Sequence, residues 1–182
     1  RSGAAPRPLA RRRAAVGARR TWAPRGQTPI LRQPGRYREK ASMIAALTVS
    51  PRRRRVGLYF SIRANRNVDG PWLAAFLRDL RLQIQRPILL VWDRLNVHRA
   101  RLVLRMLRRS RKLHAEFLPP YAPELNPVEA VWAHLKMHPL ANLAPQDADQ
   151  LARIAERHAR ALCQRRTLLK SFIRSTPLSL RL

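Results

Sequence analysis

The chain has 182 residues, 46% of them hydrophobic, which suits one domain with a buried core and argues against wholesale disorder. Thirty-eight Lys and Arg against ten Asp and Glu leave a net charge of +28, which points to a polyanionic partner, most simply nucleic acid. The single cysteine, Cys163, excludes an internal disulfide or a Cys-only zinc site, and no apolar run approaches the roughly 20 residues of a membrane span. Thirty-four of the cations are Arg, a bias that GC-rich coding also produces, so composition alone defines a basic globular domain and no more.

Residues 1–38 hold eleven Arg and no acid, and five prolines break any helical or strand period, so this stretch is expected to be a basic irregular extension. Ser42 to Ser50 and Val56 to Ile62 are short apolar runs that predict two strands, joined by an Arg-loaded turn into an antiparallel pair. Asp69-Gly70-Pro71 is a helix start, followed at helical spacing by Trp72, Leu73, Phe76, Leu77, Leu80 and Ile84. Pro87 to Trp92 is a continuous apolar run, expected for a strand buried on both faces. Arg99 to Arg109 predicts a basic amphipathic helix with Leu102, Val103, Met106 and Leu107 on its apolar side. Asn96 is a reasonable N-cap for it. A short strand at Ala115 to Leu118 follows, then a proline-rich loop, a helix from about Pro127, and a helical tail from Asp147 to about Ile173. The order predicts an α/β fold on a mixed sheet.

Two carboxylates stand where chemistry is expected. Asp93 closes the apolar strand, and the C-terminal end of a central strand is where open α/β sheets place their sites. From spacing alone Asp93 is equally a strand-end turn residue paired with Arg94. Glu129 follows Asn126 and Pro127, an arrangement that a capping box explains without any catalytic role. Converging carboxylates would hold Mg²⁺ or Mn²⁺ through oxygen and support two-metal phosphodiester chemistry. Other signals are weaker. Arg52, Arg53, Arg54 and Arg55 are candidates for phosphate contact. His134 and His138 have a zinc-compatible spacing but no accompanying acid, and Arg153, Arg157 and Arg160 give the tail a basic stripe.

The segments VWDRLNVHRA (91–100) and FLPPYAPELNPVEAVWAHLK (117–136) closely resemble the catalytic half of mariner-like bacterial insertion-sequence transposases of the DDE superfamily, and RTWAPRGQTP (20–29) resembles the family's upstream element. The resemblance implies an RNase H-like core: a mixed five-stranded sheet with helices on both faces. It assigns Asp93 to the family's second acid and Glu129 to the third, as catalytic and metal-binding residues. Asn96, His98 and Asn126 would support them, and Arg94 would join Arg52 to Arg55 on DNA. It implies Mg²⁺ or Mn²⁺ as cofactor, transposon ends and target DNA as partners, and a homodimer as a further option. The composition and the lack of a long apolar run add the expectation of no membrane and of a cytoplasmic, nucleoid-associated protein. Residues 1–19 fall outside the resemblance, residues 20–143 form a partial RNase H-like domain, and residues 144–182 a basic helical tail.

The family's first acid lies on a strand ahead of the Trp-Ala-Pro element, yet residues 1–18 contain no acid and no strand period. The expectation is therefore an RNase H-like fold without its proper first strand, from a truncated or frameshifted reading frame, inactive in cleavage and strand transfer. A non-catalytic basic DNA-binding remnant is the alternative. A ribosomal-type RNA-associated protein, which would need neither Asp93 nor Glu129, comes a distant third because of the specific match at PPYAPELNPVE (119–129).

Overall fold

The computed structural model describes residues 40–50, 55–141, 143 and 145–178. Strand β1 (Ala41–Val49) pairs antiparallel with β2 (Val56–Ala64), from Ala41 opposite Ala64 to Val49 opposite Val56. The Ser50 N–H donates to the Arg55 carbonyl at 2.9 Å and so closes the hairpin. Helix α1 (Gly70–Ile84) starts where the sequence placed it. Asp69 caps it, accepting from the Trp72 N–H at 2.8 Å, and the Trp72 indole N–H donates to Ser61 Oγ at 2.9 Å, tying the helix to β2.

Strand β3 (Ile88–Trp92) runs parallel to β4 (Leu113–Phe117), with α2 (Arg101–Arg109) as the crossover between them. Helices α3 (Val128–Met137), α4 (Ala148–Cys163) and α5 (Arg166–Arg174) complete the described chain. One apolar cluster joins α1 and α2 to β3 through Trp72, Leu73, Leu77, Trp92 and Val103, and takes in Ile44 from β1. A second joins Ala41, Val56 and Leu58 to Val131, Leu162, Leu169 and Ile173 of α3, α4 and α5. The β1–β2 hairpin is thus covered on both faces, as the middle layer of an α/β/α arrangement. Among the described residues the four strands form two separate pairs, one antiparallel and one parallel, with no strand between β1 and β3.

Several local expectations change. Strand β3 is not buried on both faces: Leu89 is 63% and Val91 52% exposed, because α1 and α2 cover only one side while α3, α4 and α5 pack on β1 and β2. Asn96 does not cap α2. It opens a four-residue 3₁₀ turn, Asn96–Arg99, and α2 follows from Ala100 with no side-chain cap. On α2, Val103 is fully buried and Met106 and Leu107 join the core, but Leu102 stays 46% exposed. The tail is two helices rather than one, turning at Gln164 and Arg165 so that α5 reaches β2 and α3.

Candidate active site

Asp93 follows directly on β3, at the C-terminal end of the parallel pair. The 3₁₀ turn folds the chain back, which brings His98 beside it. The His98 Nδ1–H donates to Asp93 Oδ1 at 2.8 Å and lies 2.9 Å from the Asp93 carbonyl oxygen. The Leu95 N–H donates to the same Oδ1 at 3.2 Å. Both side-chain bonds land on one oxygen, leaving Oδ2 of this 39% exposed carboxylate without a partner among the described residues. Burial raises the Asp93 pKa, but the His98 and Leu95 hydrogen bonds and the charge of His98 outweigh it and hold the carboxyl below its ordinary range. His98 is itself clamped, its ring stacked on Trp92 with centroids 4.4 Å apart and planes 9° from parallel. The arrangement keeps an ionised, oriented carboxylate at the sheet end.

Arg94 does not pair with Asp93 as a strand-end turn would have it. Its Nε–H donates to the Leu118 carbonyl at 3.4 Å, and its guanidinium lies 5.9 Å from the Phe117 ring centroid, so it braces the end of β4. Asn96 is exposed. Beyond Leu118 the Pro-Pro-Tyr loop carries Tyr121, which is 91% exposed with φ +59°, a backbone region that costs a bulky residue energy. Its exposure and backbone conformation gave no periodic signal, although Tyr121 lies inside the 117–136 segment that carries the family resemblance.

Asn126 Oδ1 accepts from the Val128 N–H at 3.2 Å, so Asn126 does restrain the start of α3, although the helix's cap position falls one residue later, on Pro127. The Asn126 N–H donates to the Pro123 carbonyl at 3.0 Å, so the reciprocal half of a capping box is taken by a backbone group. Glu129 stands in the first turn of α3, with its Oε2 shut off from solvent. The structure therefore gathers Asp93, His98 and Arg94 at the β3–β4 end, and Asn126 and Glu129 at the α3 start. Among the described residues no three His, Cys, Asp or Glu side chains form a metal-holding group, so Asp93, His98 and Glu129 do not make one. Arg55 is exposed beside the hairpin turn, while Arg52, Arg53 and Arg54, the 20–29 element and residues 1–19 lie outside the described residues. No helix among the described residues is long and apolar enough to cross a membrane.

A family model described as DDE superfamily endonuclease matches residues 11–152. The fold is similar to that of Mos1 transposase in its paired-end complex with the left transposon end, at 15% identity and a TM-score of 0.60, over 88% of this chain and 48% of that one. It is also similar to the Mos1 mariner paired-end complex with Mn, at 14% identity and a TM-score of 0.50, over 91% of this chain and 52% of that one. The chain spans about half the length of these structures. No curated protein matches it. The likeness makes the fold mixed α/β and RNase H-like.

Proposed function

This chain belongs to the DDE superfamily of endonucleases, and we propose that it is a mariner-like transposase domain that binds DNA but does not cut it unaided. Residues 20–143 would form the partial RNase H-like unit and residues 144–182 a basic tail, on a nucleoid-associated protein. In this reading Asp93 and Glu129 are the second and third acids of cleavage and strand transfer. Asn96, His98 and Asn126 position them, and Arg94 and Arg52 to Arg55 face the phosphate backbone. The observation that carries the assignment is Asp93, held ionised at the sheet end by His98.

Divalent metal use goes with the DDE superfamily, and the Mos1 complex with Mn is an instance. The donor chemistry of two carboxylates suits Mg²⁺ or Mn²⁺. Among the described residues no three His, Cys, Asp or Glu side chains gather, so these residues alone do not form a complete metal-holding group. No metal-dependent step is therefore assigned to this chain.

Two assays test the reading. Duplex DNA of unrelated sequences is expected to bind with similar affinity, weakening by about 10³-fold or more between about 50 and 200 mM salt if six or more phosphates are contacted. With Mg²⁺ or Mn²⁺ the chain is expected to leave supercoiled DNA intact. Nicking that Asp93→Asn and Glu129→Gln both abolish would overturn the inactivity and keep the site. Salt-insensitive binding would sink the DNA reading.

A further inference from the structure

Three of the chain's five histidines meet in a place that DNA cleavage leaves unused. His134 and His138 stand one turn apart on α3, with ring centroids separated by 4.9 Å. His158 of α4 and Arg165, at the α4–α5 turn, line the same cavity of about 370 Å³, over an apolar floor that includes Leu135 and Leu162. Among the described residues no carboxylate lines it. Four groups able to carry positive charge thus surround one space with no counter-charge from the described residues. A divalent cation suits it poorly, because Arg165 is a fixed positive charge on the wall and the described residues hold no three-ligand group.

We propose that this cavity binds a tetrahedral oxyanion of the phosphate class, supplied by the DNA backbone or by a free phosphate-bearing molecule. Arg165 provides the forked donor, and the histidines provide N–H donors that strengthen on protonation. His134 lies below the ordinary histidine range, through burial first and then through the charges of His138 and Arg165. A bound anion offsets the second and third causes, so binding takes up a proton and tightens as pH falls. His134 also rests 5.6 Å, centroid to centroid, from Phe172 of α5, so an occupied cavity would hold α3 and α5 together.

The test uses the full chain and sulfate, whose charge stays fixed over the range, with inorganic phosphate as a second probe. Histidine proton resonances report site occupancy, and chloride matches the ionic strength. Saturable sulfate binding is expected, tightening several-fold from about pH 7.5 to about pH 6. Arg165→Gln and His138→Gln, both at exposed positions, should weaken it about tenfold, while Arg153→Gln, the same loss of charge outside the cavity, should leave it unchanged. Sulfate that shifts these resonances no more than chloride overturns the proposal, as does an equal effect of Arg153→Gln, which would mean diffuse attraction only. Zinc that saturates the site while sulfate does not would overturn it in favour of a metal pair. A DNA duplex that moves the same resonances and competes with sulfate identifies the backbone as the source. A duplex that binds without moving them leaves a free phosphate as the ligand.

Discussion

At the level of single residues, Asp93 shows how a short turn makes a site. Four residues separate it from His98, and only the 3₁₀ turn at Asn96–Arg99 brings the imidazole back to its Oδ1. The family resemblance anticipated a histidine after the second acid, but the stacking of His98 on Trp92 was not legible, because stacking depends on where the strand end sits above the turn. His98→Ala removes both contacts and is expected to destabilise the protein by about 1–3 kcal/mol in urea unfolding. His98→Phe retains the stacking and should recover part of that loss. The same two variants separate packing from positioning, since neither keeps the bond to Asp93. Glu129 gives the converse lesson. Its spacing from Asn126 fits a capping box, yet the Asn126 N–H is satisfied by Pro123, a competition that sequence spacing does not reveal.

Among the elements, those with a strong period were readable from the chain. Helix α1 carries a start signal at Asp69-Gly70-Pro71 and a clean apolar stripe, and both are realised. The tail misled for a physical reason: Leu162, Leu169 and Ile173 keep helical spacing straight through the turn at Gln164 and Arg165, so the period does not register the break. Leu169 and Ile173 are almost wholly buried in α5, against the face that β1 and β2 share with α3. Leu169→Ala is expected to cost about 2–5 kcal/mol, measured as a lowered denaturation midpoint with little change in far-ultraviolet circular dichroism at low denaturant. Helix α2 was placed correctly but capped wrongly, since the 3₁₀ turn Asn96–Arg99 intervenes and leaves Asn96 several residues ahead of the helix start.

For the whole molecule, the two strand pairs stay separate while the two apolar clusters meet at β1, through Ala41 on one side and Ile44 on the other. Strand β3 lacks the corresponding second cover, which leaves Leu89 and Val91 exposed beside an edge that has only β4 as a described neighbour. Leu89→Gln with Val91→Thr should therefore leave unfolding free energy within about 0.5 kcal/mol while reducing self-association, read by sedimentation velocity across protein concentration. A large loss of stability instead would mean that this face is packed in solution. The sequence by itself determined the α/β order, the charge and the two candidate acids, because each is written locally as periodicity, composition or spacing, and its motifs carried the resemblance to the family. Only the tertiary structure decided which strand faces stay covered, where the tail turns, what satisfies Asn126, and that His158 and Arg165 share one cavity with the His134–His138 pair. Those outcomes depend on which surfaces compete for the same core, and that competition is settled between elements far apart in the chain.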